Sequence, residues 1–199
     1  MNVLVFVLLG YLLGSVSFAV IVSRLFGIAD PRSFGSGNPG ATNVLRSGNK
    51  LAALLTLVGD AAKGWAAIWL ARKLDADDLG VAAAGIAAFI GHVFPLFLKF
   101  KGGKGVATAL GVLAGFNGGL ALICAGVWLL AALATRYSSL AAILAAISAP
   151  AAATFLGAGN GALVAVTAMS AILILRHRDN IKRLLAGTEG RIGGKKKSG

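Results

Sequence analysis

Charge is scarce along this chain, and negative charge is scarcest: of 199 residues only 13% are charged, with 7 Asp plus Glu against 19 Lys plus Arg. A chain this poor in charge, 57% hydrophobic and with mean hydropathy +0.83, has the composition of an integral membrane protein rather than of a water-soluble domain. Short alternating segments, the mark of a membrane barrel, are missing. The apolar runs are instead continuous and about twenty residues long, which sets the expected fold class as all-α. Cysteine occurs once, at Cys124 inside an apolar run, so an intramolecular disulfide is excluded and the thiol reads as packing. No cluster of His, Cys or carboxylates has metal-ligand spacing, and neither a metal nor a cofactor is expected.

Residues 1–23 carry no side-chain charge, and the first basic residue, Arg24, follows the apolar run instead of preceding it. That order argues against a cleaved signal peptide and for a first span with its N-terminus outside. A second span is expected over 51–71, interrupted by Asp60 and Lys63, and a third over 79–98. The 31 uncharged residues between Lys104 and Arg136 would extend about 46 Å as one helix, too long for a hydrocarbon core of about 30 Å. Two helices broken at Asn117-Gly118-Gly119 fit better, and the 39 residues between Arg136 and Arg176 divide likewise at 157–161, the turn-like GAGNG. Seven transmembrane helices result, with a periplasmic N-terminus and a cytoplasmic C-terminus. They form one membrane domain, 1–186, followed by a basic tail, 187–199, that reads as disordered and drawn to the membrane surface. Seven crossings put 16 basic residues on one side and 2 on the other, a split that follows the positive-inside rule. The net charge of +12 therefore reads not as nucleic-acid binding but as the basic bias of cytoplasmic loops, together with a site for an anionic substrate.

Three polar segments share the basic side. FKGGKGVAT, Phe100 to Thr108, sets glycines ahead of an expected helix start near Val106. Glycine backbone can turn N–H groups toward an anion, and lysine adds a mobile point charge. Lys104 is followed by glycine rather than Ser or Thr, so this is not a nucleotide P-loop. A plainer reading is a loop whose lysines touch lipid phosphates. GSGNPG, Gly35 to Gly40, matches G-x-G-x-x-G only formally, since no strand precedes it. Ser36, Asn38, Thr42 and Asn43 suit oxyanions and Arg46 suits a phosphate, although the same residues would also make an ordinary turn and helix cap. In RHRDNIKRLLAGTE, residues 176–189, His177 and Asn180 share a face if the last helix continues, while Arg176, Arg178, Lys182 and Arg183 read mostly as membrane anchors. Asp60 and Lys63 lie three apart inside a span, where an unpaired ion is costly, so they either neutralise each other as a brace or act directly.

Together GSGNPGATNVLR, GHVFPLFLKFKGGKGVAT, RHRDNIKRLLAGTE and the DAAKG stretch from Asp60 to Gly64 resemble the bacterial acyl-phosphate:glycerol-3-phosphate acyltransferase family. The likeness runs through nearly the whole chain in order and spacing. It implies transfer of a fatty acyl group from acyl phosphate to glycerol 3-phosphate, giving lysophosphatidic acid and inorganic phosphate in the bacterial inner membrane. It also implies Gly102, Gly103, Lys104 and Gly105 on the glycerol 3-phosphate, with Ser36, Arg46, His177 and Asn180 at the chemistry. Asn38, Thr42 and Asn43 would assist binding, and Asp60, Lys63 and Glu189 would support the site. Expected partners are the two substrates and membrane lipid, with a functional link to the enzyme that makes acyl phosphate, no nucleic acid, and a monomeric state. No H-x-x-x-x-D pair is present, since Phe97 and Lys182 stand five after His92 and His177, and no G-x-S-x-G elbow occurs. An enzyme here needs a reaction that does not demand a strong protein base, and an already activated acyl phosphate permits direct, substrate-assisted transfer; an acyl-Ser36 intermediate and His177 acting as base are the alternatives. A channel or transporter for phosphorylated anions is the competing class, although it would need polar broken helices through both halves of the bilayer.

Overall fold

The helices open where the sequence offers a side-chain acceptor for free N–H groups. Asn2 accepts from Leu4 to start α1 (Val3–Ser15), and Asn49 accepts from Ala52 to start α4 (Lys50–Lys73). Asp77 does the same for α5 (Asp78–Val93), and Asn117 for α7 (Gly118–Thr135). The structure, a computed structural model, describes residues 2–193. Its remaining helices are α2 (Phe18–Leu25), α3 (Ala41–Leu45), α6 (Val106–Phe116), α8 (Ser138–Phe155), α9 (Asn160–Arg176) and α10 (Arg178–Leu185). Helix α5 stops at Val93 because Pro95 pushes Phe94 out of helical geometry, and a single 3-10 turn, Leu96–Leu98, follows.

The described residues are helical with no strand, in agreement with the all-α expectation. Val3–Leu25, Lys50–Lys73, Asp78–Leu98, Gly118–Thr135 and Ser138–Phe155 are each long and apolar enough to cross a membrane. Asn160–Arg176 joins them only when taken with α10 across a 54° bend. Helix α6, with 11 residues, is about 16 Å long and shorter than a hydrocarbon core. The breaks at Asn117 and at 156–159 fall where the turn residues predict them.

One break was not predicted. The first span steps at Val16-Ser17, between α1 and α2, and the freed Val16 carbonyl accepts from Lys63 Nζ at 2.6 Å. The last helix also does not continue straight through motif three, since it bends at His177. Of the tail read as beginning at 187, residues 187–193 return to the bundle, with Ile192 and Arg136 hydrogen-bonded backbone to backbone at 2.7 Å, and 194–199 lie outside the described residues.

Helix contacts rest on small residues, as lipid-embedded packing requires when no water is available to drive association. A Cβ on Gly10 or Gly14 of α1 would strike the carbonyls of Ala84 or Ala88 in α5, and one on Gly91 would strike Tyr11 O. These pairs advance together, so α1 and α5 run parallel. In α4 and α6, Gly64 meets Thr108, Ile68 meets Gly115, and Arg72 reaches the carbonyls of Gly115 and Phe116, so this pair is parallel too. Phe6, Ile68, Phe89, Val112, Leu120 and Met169 fill the interior, while Leu122, Leu130 and Leu133 of α7 face outward as a lipid-directed surface.

Candidate active site

All three polar segments lie at one end of the bundle and are tied to each other through side chains. Lys104 Nζ donates to Asn180 Oδ1. Asn180 Nδ2 donates to Glu189 Oε1 at 2.6 Å, and the same oxygen accepts from Ser139 Oγ at 2.7 Å. Arg183 Nε donates to Glu189 Oε2 at 2.7 Å. Arg176 reaches the Gly103 carbonyl at 3.4 Å and lies over the Phe94 ring. On the side of motif one, Thr42 and Ser138 share a hydroxyl hydrogen bond of 3.1 Å, and the Arg46 guanidinium lies against Gly190. The start of α8, Ser138-Ser139, thus joins motif one to motif three. No spacing in the sequence flagged these serines, nor the role of Arg183.

The polar residues of motif one divide between two tasks. Asn43 is buried, and its amide is spent on the loop itself: Nδ2 donates to Pro31 O and Phe34 O at 2.6 and 3.1 Å, and Oδ1 accepts from Ser36 N at 2.9 Å. Its side chain therefore shapes the loop, and the same Oδ1 accepts from the Arg46 guanidinium at 3.4 Å. Ser36 stands exposed between Gly35 and Gly37, both at positive φ, and Arg46 is exposed as well. Asn38 is half-buried beside Gly40.

In motif two the glycines serve close packing first. A Cβ on Gly102 would collide with His92 O and Pro95 Cδ, one on Gly103 with His92 Nε2, and one on Gly105 with the Phe89 ring. The Gly103 N–H is committed to His92 O at 3.1 Å, so this amide does not cradle an anion as expected from the sequence. Gly105 caps α6 at φ +89° without a side-chain acceptor, leaving the first-turn N–H groups of α6 directed toward the Lys104 side.

Beneath the glycine loop lies a buried ionic network. Lys63 Nζ is 2.8 Å from Asp60 Oδ1 and 3.0 Å from His92 Nδ1, besides its bond to Val16 O. With the ammonium donating to Nδ1, His92 presents Nε2 to Gly103. The α1–α2 step, α4, the end of α5 and the glycine loop are thereby joined through one lysine. His177, also buried, directs Nδ1 to Leu173 O at 2.8 Å, which leaves Nε2 as the acceptor of the neutral ring.

Two groups of the cluster are electrostatically displaced. Burial pulls the Lys104 ammonium down to about 8; Arg183, Arg176 and Arg46 press it the same way, against Glu189. Burial alone would raise the Glu189 carboxyl, but hydrogen bonds from Ser139, Asn180 and Arg183 outweigh it and hold the group below its usual range. Lys104, Arg46, Arg176 and Arg183 so converge on a corner with one carboxylate that is already fully engaged.

A cationic corner of this kind, set at the end of an apolar helical bundle, marks an integral membrane protein whose polar end suits phosphate groups. The family described as glycerol-3-phosphate acyltransferase matches residues 4–187. Relatives named glycerol-3-phosphate acyltransferase from Laribacter hongkongensis and Burkholderia lata are 60% and 59% identical, covering all of this chain and 100% and 94% of theirs. Among solved structures, the chain is similar to PlsY, an integral membrane glycerol 3-phosphate acyltransferase, in its glycerol 3-phosphate form, with TM-score 0.90, 42% identity and 95% and 94% of the two chains covered. The lysophosphatidic acid form of PlsY matches at TM-score 0.89 and 41% identity. The chain belongs to the glycerol-3-phosphate acyltransferase family. The resemblance seen in the motifs is thereby established, and the transporter alternative has no support.

Proposed function

We propose that this protein transfers a fatty acyl group from acyl phosphate to glycerol 3-phosphate, releasing lysophosphatidic acid and inorganic phosphate. The observation that carries the reading is the convergence of Lys104, Arg46, Arg176 and Arg183 around the Asn180–Glu189 link. Two phosphorylated reactants need two sets of cations side by side, and a single carboxylate, paired with Arg183, leaves Lys104, Arg46 and Arg176 to meet them. The relatives' name and the ligands of the PlsY structures, glycerol 3-phosphate and lysophosphatidic acid, support the same acceptor and product.

In this reading Lys104, with the first-turn amides of α6, receives the phosphate of glycerol 3-phosphate, and Gly102, Gly103 and Gly105 let the loop sit low enough on α5 to do so. Arg46, with Ser36, Asn38 and Thr42 beside it, receives the acyl phosphate. The glycerol hydroxyl oxygen attacks the acyl carbonyl carbon, the bond from that carbon to the phosphate oxygen breaks, and phosphate leaves with the electron pair. The hydroxyl proton passes to a phosphate oxygen, so no protein base is needed. His177 Nε2 orients the hydroxyl as a hydrogen-bond acceptor, and Asn180 holds Lys104. The protein supplies proximity, orientation and charge neutralisation. Seven crossings of the bacterial inner membrane, a cytoplasmic site, a monomeric state and a functional link to the enzyme making acyl phosphate complete the proposal.

Purified protein offered glycerol 3-phosphate with acyl phosphate, acyl-CoA or acyl carrier protein in turn tests the donor. Turnover is expected with acyl phosphate and little with the others. Equal turnover with a thioester would defeat the donor assignment, and a trapped acyl-serine at Ser36 would defeat direct transfer.

A further inference from the structure

A cavity of about 410 Å³ lies away from the motif loops. It is a groove between α4 and α6, walled by Trp65 and Trp69, floored by Ala114 and Gly115, and rimmed by Arg72 and Lys73. Helix α4, with 24 residues, extends about 36 Å from Lys50, so Lys73 lies at the face of the bundle opposite the site. The two indoles are four residues apart on one helix face, stacked with centroids 6.1 Å apart, and each is nearly half exposed at 45% and 47%.

Three observations separate this groove from an ordinary aromatic belt. The floor is made of small residues, so the tryptophans stand as a wall beside an open channel and not on a convex surface. Arg72 spends two donors on Gly115 O and Phe116 O, at 2.7 and 3.2 Å, which pins its guanidinium at the rim with three N–H groups unspent. Asp75, Asp77 and Asp78 follow within six residues, yet among the described residues neither Arg72 nor Lys73 forms an ion pair with them. These two cations are also the basic residues that the positive-inside rule leaves on the wrong side.

We propose that this groove is a binding site for an anionic phospholipid of the leaflet opposite the catalytic loops. Its phosphate is held by Arg72 and Lys73, and its glycerol backbone and one acyl chain lie along Trp65 and Trp69 over the Ala114-Gly115 floor. Charge complementarity selects the occupant: a headgroup carrying net negative charge keeps its attraction to both cations, whereas a zwitterionic headgroup offsets it with its own ammonium. A soluble phosphate lacks the chain that fills the apolar part of the groove.

Tryptophan quenching reads occupancy directly. Full-length protein carrying Trp128→Phe, which leaves Trp65 and Trp69 as reporters, is reconstituted in nanodiscs of unlabelled phosphatidylcholine with increasing mole fractions of tail-brominated phosphatidylglycerol or tail-brominated phosphatidylcholine. The expected result is quenching by the anionic lipid that saturates at low mole fraction and exceeds that by the zwitterionic lipid. Lys73→Gln should lower the apparent preference about fivefold while acyl transfer stays unchanged. Inorganic phosphate at millimolar concentration should not relieve the quenching. Equal quenching by the two lipids, or a preference untouched in Lys73→Gln, would reduce the groove to a bilayer contact and overturn the proposal. Relief by inorganic phosphate would assign the cations to a soluble anion instead.

Discussion

At Lys104 the balance between burial and charge has a direct kinetic consequence. Burial, with the nearby arginines, pulls its ammonium down from the usual lysine range to about 8. Below that pH the lysine is charged and, in the proposed role, binds a phosphate dianion; above it the charge is lost. Therefore kcat/KM for glycerol 3-phosphate is expected to fall as pH rises through about 8, and Lys104→Met should remove this limb. Charge-assisted hydrogen bonds contribute about 1.5–3 kcal/mol, so the same replacement should raise KM for glycerol 3-phosphate roughly 10- to 100-fold. Initial-rate measurements from pH 6 to about 9.5 check both, and a fall in kcat alone with KM unmoved would place Lys104 elsewhere in the reaction. Sequence gave Lys104 its chemistry but not its partner. Asn180 was legible as a polar residue near it, whereas Ser139 was not, because a serine 50 positions from Glu189 acquires its role only when α8 is set beside that carboxylate. Asn43 shows the opposite case. An amide in a glycine-rich loop looks like a ligand-binding group, and only the fold reveals that it ties the loop's own backbone to the Arg46 guanidinium.

Among the elements, α4 joins the greatest number of others to the site, through Lys63. An ion pair buried at 2.8 Å between two residues with side chains 4% and 2% exposed costs desolvation on both members, and removing one member strands the other. Asp60→Leu or Lys63→Leu alone should each destabilise the protein by about 3–5 kcal/mol, whereas the double replacement should cost clearly less than the sum. Thermal unfolding of the purified variants in one detergent measures this, and additive losses would show that the two residues act separately. Activity should nevertheless stay low in the double variant, since His92 and the Val16 carbonyl lose their donor and the glycine loop rests on His92. The same lysine explains the limit of sequence reading here. Breaks at Asn117 and at 157–161 were legible because Asn and Gly carry their turn chemistry locally. The step at Val16-Ser17 was not, because an apolar β-branched residue gives no turn signal and the donor that satisfies its carbonyl lies 47 positions away.

For the whole molecule, the directions of the packed helices bear on how often the chain crosses the bilayer. Helices α4 and α6 run parallel, as do α1 and α5, and Gly161 at the start of α9 packs on Asp78 at the start of α5. A parallel α4–α6 pair requires the loop before α6 to return to the end where α4 began, the end that carries the motif-one segment. Helix α7 must then run back, which is what two crossings between 105 and 135 demand despite the short α6. Shortness is offset at its far end by Arg72, whose guanidinium donates to the Gly115 and Phe116 carbonyls that would otherwise face hydrocarbon. The connection 74–77 and the connection 156–159 accordingly share one end, and the motif loops share the other. In a Cys124→Ala background, a membrane-impermeant maleimide applied to intact spheroplasts should label Leu74→Cys and Asn160→Cys, and should label Lys101→Cys and Arg178→Cys only after lysis. Labelling of Lys101→Cys in intact spheroplasts would move the cationic corner to the outside, while opposite behaviour of Leu74→Cys and Asn160→Cys would break the sevenfold crossing. The 16 to 2 division of basic residues favours neither of those outcomes, since each would expose a lysine- and arginine-rich loop to the face that membrane insertion keeps poor in positive charge.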